Sequence, residues 1–177
     1  MSKVRCGVIG LGLMGASGHV YQLSQTIPDA EVVAICDNDP EHLESATQYV
    51  GPECKLYLDA DELIEDPDVE AVVISTPNHL HRPQAEKAFA CGKHVFTEKP
   101  MAPTVADCLA MMAAAEKAGK ILEVGLLCRY NPQFHKFAEI IDHAWVTVDY
   151  ENGVKGLPGA LLLRAVGRGS RVVGYRR

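Results

Sequence analysis

Gly10-Leu11-Gly12-Leu13-Met14-Gly15 stands between an apolar run, Val4 to Ile9, and a stretch that reads as a helix. Glycines at these places do separate jobs: Gly10 permits the tight turn out of a strand, Gly12 lets backbone approach a pyrophosphate, and Gly15 lets the helix pack close to the strand. The helix after the turn would point free N–H groups and its positive dipole end at phosphate oxygens, so no lysine is required. Asp37 closes the next apolar run, close to the expected spacing of about 20 residues, where a carboxylate suits the paired hydroxyls of an adenosine ribose. The same charge would repel a 2′-phosphate, which favours NAD over NADP. Three further stretches fall where strand ends should converge on such a cofactor: Ser75-Thr76-Pro77-Asn78, Glu98-Lys99-Pro100 and Arg129-Tyr130-Asn131-Pro132.

The elements that must position these residues emerge from hydrophobic patterning. Candidate strands are Val4 to Ile9, Glu31 to Cys36, Lys55 to Leu58, Ala71 to Ser75, His94 to Thr97 and Ile121 to Leu127. They are rich in Val and Ile with little polar alternation, as a parallel sheet buried on both faces requires. Helices with start signals lie between them: Asp39-Pro40 offers an N-cap and a first-turn proline, while Asp59 with Glu62 and Thr104 with Asp107 offer capping boxes. Gly119 should stop the helix that runs from Val105 to Ala118. The alternation predicts an α/β fold with a doubly wound parallel sheet over residues 1–128, and ligands at the carboxyl ends of its strands.

The grammar changes over residues 129–177, which read as a short α+β remnant. Pro132 to Asp142 suits a helix, Trp145 to Tyr150 alternates like a half-buried strand, and Asn152-Gly153 is a hairpin-turn signal. A return strand would begin at Val154 and be compromised by Pro158. From Gly156 to Gly174 the glycines, leucines and arginines obey no period.

Composition narrows the function classes. The chain has 177 residues, 47% of them hydrophobic, and no run near the roughly 20 apolar residues of a membrane helix. Met1 to Cys6 leads straight into a strand, so a soluble cytoplasmic protein is expected. The six cysteines form no CxxC pair and read as small buried hydrophobes in a reducing compartment. Net charge is −6, with six cations and no acid after Asn152. That basic tail lacks interleaved aromatics, and the acidic body would repel phosphates, so nucleic acid is not an expected partner. No two histidines have metal-ligand spacing, so no metal is expected. His19 and His42 fall in presumed helices as packing or surface residues, His79 reads as solvated, and His94 opens a strand.

Together the glycine turn, the Thr-Pro-Asn turn, Glu98-Lys99-Pro100 and the stretch from Arg129 resemble the nucleotide-binding half of the glucose-fructose oxidoreductase / inositol dehydrogenase / MocA family. The likeness runs from residue 3 to about residue 137, with four motifs in the family's order. It implies that Thr76, Pro77, Asn78 and His81 border the bound dinucleotide, and that Lys99 reaches toward the nicotinamide and the substrate hydroxyl. It also implies a cis bond at Lys99-Pro100. A lysine there makes chemical sense, because hydride transfer from a secondary alcohol leaves developing alkoxide charge that a nearby cation stabilises.

Family members continue into a large second domain that supplies most of the substrate pocket and an Asp-x-x-x-His histidine. That spacing does not occur in this sequence; His135 and His143 are the nearest candidates, and neither stands in the expected context. Trp145 to Gly156 resembles a hairpin from late in that domain, as in a truncated form. The expected activity is hydride transfer between NAD and a hydroxyl carbon of a sugar, cyclitol or related polyol, with Lys99 as the catalytic residue. The alternative is an inactive NAD-binding module acting by binding or oligomerisation. An unpaired edge strand favours a homo-oligomer.

Overall fold

The computed structural model describes residues 2–127, 131–134 and 136, and the strand pairing at 148–149 and 155–156. The chain divides into two compact units, Met1–Gly125 and Leu126–Arg177. In the first, six parallel strands form one sheet: β1 (Val4–Ile9), β2 (Ala30–Cys36), β3 (Lys55–Tyr57), β4 (Ala71–Ile74), β5 (His94–Thr97) and β6 (Leu122–Val124), in the spatial order β3-β2-β1-β4-β5-β6. The order reverses beside β1, which pairs with both β2 and β4. A crevice therefore opens at the carboxyl ends of β1 and β4, where open α/β sheets take their ligands.

Both faces of the sheet are covered, which explains the unbroken apolar runs. Ile9, Val72, Ile74 and Val95 pack with Leu63, Ala85, Phe89 and Met111 of α3 (Ala60–Glu65), α4 (Asn78–Ala90) and α5 (Val105–Ala118). Val8, Val32, Ile35 and Val73 pack on the other face with Leu11, Val20 and Leu43, the last from α2 (Pro40–Ala46). Successive residues such as Val8 and Ile9 thus enter opposite layers, as the period of two in a strand demands.

Local signals produced most element ends, with instructive departures. The Asp39 carboxylate accepts the N–H of Glu41 at 2.9 Å ahead of Pro40. Gly119 ends α5 at φ +63°, a conformation that costs glycine little. The expected Asp59 and Glu62 box is instead a simple cap, in which Asp59 accepts from the N–H of Asp61 at 2.8 Å. Thr104 caps α5 through the N–H of Asp107 at 3.1 Å, and the Asp107 carboxylate in turn accepts the Thr104 hydroxyl at 2.6 Å. β6 is shorter than the expected Ile121 to Leu127: Gly125 donates to the Thr97 carbonyl at 2.9 Å, and there the ladder ends.

The helix after the glycine turn begins as a π-helix, Met14–Val20, and becomes α only at α1 (Tyr21–Gln25). Its wider turn is seen in the Tyr21 N–H, which donates to Ala16, five residues back. Such turns are rare and recur at functional sites. Among the described residues no helix is long and apolar enough to cross a membrane, and the described cysteines are free. Burial, aided by the Glu70 charge, pushes the Cys6 thiol up to about 11. In the second unit, β7 (Val148–Asp149) pairs antiparallel with β8 (Lys155–Gly156), flanking the Asn152-Gly153 turn signal.

A polar knot ties β3 to the loop after α3. The buried Asp66 carboxylate accepts from the Lys55 ammonium at 2.9 Å, the Tyr57 hydroxyl at 2.9 Å and the Asp68 backbone N–H at 2.9 Å. Burial alone would raise the Asp66 pKa, but the Asp68 N–H, then Lys55 and Tyr57, outweigh it and hold it below the usual carboxylate value. A lowered folded-state pKa means that this stabilisation is present above the unfolded value, about 3.9, and is lost as pH falls through the lower folded value. Denaturant titrations from pH 6 down to pH 2.5 should therefore show an acid loss of stability that Asp66→Asn reduces. At pH 7 that variant should already be weaker by about 2 kcal/mol. An unchanged acid limb would contradict the assignment.

Candidate functional site

The crevice is built first by the glycine turn. Gly10 has φ +86°, and a Cβ there would lie 2.7 Å from the Ser75 carbonyl carbon and 2.8 Å from Thr76 N. The end of β1 therefore runs against the end of β4. A Cβ on Gly15 would overlap the Gly10 carbonyl oxygen, so the helix meets the turn with no space for a side chain. Gly12 differs, because nothing lies within 4 Å of where its Cβ would be. The protein itself does not demand a glycine there; open space over exposed backbone fits the approach of a pyrophosphate. Leu11 enters the core, while Gly12, Leu13 and Met14 are exposed at the mouth.

Asp37 locks this turn from β2. Its Oδ2 accepts the Leu11 N–H at 2.6 Å and its Oδ1 accepts the Asp39 N–H at 2.9 Å, with the carboxylate almost buried. His42 Nδ1, on half-exposed α2, stands 3.6 Å from Oδ2. An ionised carboxylate has about four acceptor positions, so two remain for a ribose diol after these backbone bonds. Burial, then the charges of Asp37, Asp59 and Glu62, pushes the neighbouring Cys36 thiol up to about 12. Residues 37–42 hold three acids and neither lysine nor arginine, a poor setting for an additional phosphate.

Across the crevice, the Ser75 N–H donates to the Ile9 carbonyl at 2.8 Å, and the Thr76 hydroxyl donates to Gln84 at 2.7 Å. Pro77 and Asn78 are exposed, and His79 is exposed in the first turn of α4. His81, expected to border the dinucleotide, is fully buried. Its Nε2 lies 2.8 Å from the Thr76 carbonyl oxygen, and its Nδ1 lies 3.0 Å from that of Pro100 and 3.3 Å from that of Met101. The ring joins two turns behind the crevice and has no surface with which to touch a ligand. His94 accepts the Ile121 N–H through Nδ1 at 3.2 Å.

The Lys99-Pro100 bond is cis. Lys99 is exposed, and its ammonium has no partner among the described residues. Glu98, the obvious candidate, is occupied elsewhere: it is buried, with Oε1 3.0 Å from His19 Nε2 and Oε2 accepting the Lys99 backbone N–H at 3.0 Å. Lys99 is thus free to serve a bound molecule. Sequence reasoning treats His19 as a packing or surface residue and misses this contact. The available signal is its position four residues after Gly15, on the helix face that must meet the sheet. Arg129, also expected at the cofactor, lies outside the described residues, as do His135 and His143.

The geometry agrees with comparisons to known proteins. Residues 4–126 match the model of an oxidoreductase family with an NAD-binding Rossmann fold. Inositol 2-dehydrogenase of Salmonella paratyphi B is 37% identical over 140 residues, 78% of this chain and 41% of that protein. Scyllo-inositol dehydrogenase from Lactobacillus casei, solved with NAD(H) and scyllo-inositol, superposes with a TM-score of 0.73 at 25% identity, covering 80% of this chain and 42% of that one. A probable dehydrogenase from Thermotoga maritima superposes with a TM-score of 0.71 at 35% identity, covering 80% and 41%. The chain spans about two fifths of the length of these relatives. With its glycine turn, its Asp37 carboxylate at the end of β2 and its Glu-Lys-Pro turn at the head of one parallel sheet, the chain belongs to the glucose-fructose oxidoreductase / inositol dehydrogenase / MocA family of oxidoreductases and carries the family's NAD-binding Rossmann fold.

Proposed function

We propose that this chain is the cofactor half of an NAD-dependent dehydrogenase acting on a hydroxyl carbon of a cyclitol or related polyol, with Lys99 as its catalytic residue. The observation that carries the proposal is the pairing of an exposed Lys99, whose ammonium has no partner among the described residues, with a crevice whose acid, Asp37, retains acceptors for a ribose diol. Bound NAD would accept a hydride from the substrate carbon. Gly12 to Met14 would meet its pyrophosphate, Asp37 its adenosine ribose, and Ser75 to Asn78 would border it along the end of β4. Lys99 would hold its ammonium near the substrate oxygen, where it stabilises alkoxide charge as the hydroxyl proton leaves. The polyol class comes from the inositol dehydrogenases to which the chain is similar. Self-association belongs to the same reading, because among the described residues β3 and β6 are the edge strands of this sheet and strand edges invite pairing.

Titration with NADH, monitored by its fluorescence, tests the cofactor; absorbance at 340 nm with NAD and myo-inositol, scyllo-inositol or glucose tests the reaction. Saturable NADH binding tighter than NADPH, with polyol-dependent reduction abolished by Lys99→Ala, is the expected result. Binding without turnover would reduce the chain to an NAD-binding module, and no binding at millimolar NADH would overturn the whole reading. Light scattering after size exclusion reads the assembly state.

A further inference from the structure

Two histidines grip the Glu98-Lys99-Pro100-Met101 turn from opposite faces of the sheet. His81 reaches the Pro100 and Met101 carbonyls from α4, while His19 reaches Glu98 from the π-helix. The two are not equivalent. His81 touches the backbone beyond Lys99, whereas the His19 contact passes through a carboxylate whose other oxygen holds the Lys99 N–H.

The setting of His19 is specific. Only 14% of its side chain and 8% of that of Glu98 are exposed, which protects their contact from water. Phe96 of β5 lies two residues before Glu98 and meets the His19 ring edge-on at a centroid distance of 5.3 Å and an angle of 67°. Gly125 clears space for both: a Cβ there would stand 3.0 Å from the Phe96 ring and 3.4 Å from Glu98 Oε1. The π-turn takes one residue more than an α-turn, which rotates the remainder of the helix by about 100° relative to a regular one. His19 is the penultimate residue of that turn.

We infer that His19 is a positioning residue for Lys99: its ring fixes the Glu98 carboxylate, and that carboxylate fixes the backbone from which Lys99 projects. The helix at the glycine turn and the lysine turn are then one rigid unit. A dinucleotide seated on the first finds the second already aimed at its nicotinamide end. This inference rests on the NAD reading above, so its test separates the two halves of the cofactor.

The experiment compares NADH with ADP-ribose, which carries the adenosine, pyrophosphate and second ribose but no nicotinamide, by calorimetry on the purified chain. His19→Phe keeps a ring against Phe96 and removes the N–H, whereas His19→Gln restores a donor. Losing a hydrogen bond to a charged group should weaken NADH by about tenfold in His19→Phe. ADP-ribose should stay within about twofold, and His19→Gln should recover most of the loss. The Lys99 amide resonance should shift in His19→Phe and return in His19→Gln. In the wild-type chain that amide should exchange slowly with solvent, a measurement that stands even if His19→Phe does not fold. Equal weakening of both ligands, no weakening of either, or fast exchange of the wild-type Lys99 amide would overturn the positioning role. A wild-type chain that binds ADP-ribose but gains nothing from the nicotinamide overturns this inference alone; one that binds neither ligand overturns the NAD reading and this inference with it.

Discussion

Gly15→Ala should destabilise the chain by about 3 kcal/mol or more and abolish NADH binding, whereas Gly12→Ala should leave stability nearly unchanged and still weaken NADH by at least about tenfold. The contrast comes from the surroundings each methyl group would meet. At Gly15 it would overlap the Gly10 carbonyl oxygen, a backbone atom that cannot turn aside as a flexible side chain could. Relief requires moving the π-helix away from β1, and that movement also displaces Val20 and Ala16 from the core layer they share with Val8 and Val73. At Gly12 the methyl group meets nothing within 4 Å. It costs the fold little but projects into the space assigned to the pyrophosphate. Thermal melts and NADH titrations on both variants check the pair. If Gly12→Ala binds NADH as tightly as wild type, the phosphates do not pass over this turn.

Asp37→Ala should have the next largest effect: about 2 kcal/mol of stability, about a hundredfold in NADH affinity, and most of the preference for NADH over NADPH. Two functions meet in this carboxylate. It satisfies the Leu11 and Asp39 N–H groups at 2.6 and 2.9 Å, and the Leu11 donor lies where water cannot replace the lost acceptor. Its remaining lone pairs and its charge face the position assigned to the ribose. Asp37→Asn separates these functions, since its amide oxygen can still accept from the buried Leu11 N–H, only the bond to the part-buried Asp39 N–H is given up to the amide NH2, and the negative charge is gone. That variant should keep most of the stability while the NADH to NADPH ratio falls. Chemical denaturation beside titrations with the two cofactors provides the readout. A preference for NADH that survives in both variants would place cofactor discrimination elsewhere.

How much of this is legible in the sequence depends on the range of the interaction. The glycine turn, the Asp39 cap, the Gly119 stop and the burial of each strand on both faces rest on residues within a few positions of one another, or on a simple apolar run. Those features are visible, and the strand ends agree to within one residue except at β6. The β6 ladder ends early because Gly125 answers to Thr97, Phe96 and Glu98, all on the neighbouring strand or just past it. The π-turn is likewise invisible, since helical periodicity does not reveal where one turn takes an additional residue. Asp37 is found by its spacing, yet its hold on the Leu11 N–H is not.

The histidines mark the division most sharply. The sequence by itself determined a strand-turn-helix with glycines at the right places, an acid at the end of the second strand and a lysine at the end of the fifth. These signals are local, and the order of the strands is consistent with the right-handed crossovers that join parallel strands. Only the tertiary structure decided that His81 turns inward to three carbonyls and that His19 reaches Glu98. Most of their partners lie far away along the chain, and a side chain's hydrogen bonds depend on which strand ends the sheet brings together. That assembly converts a glycine fingerprint and a Lys-Pro pair, separate in the sequence, into two walls of one crevice.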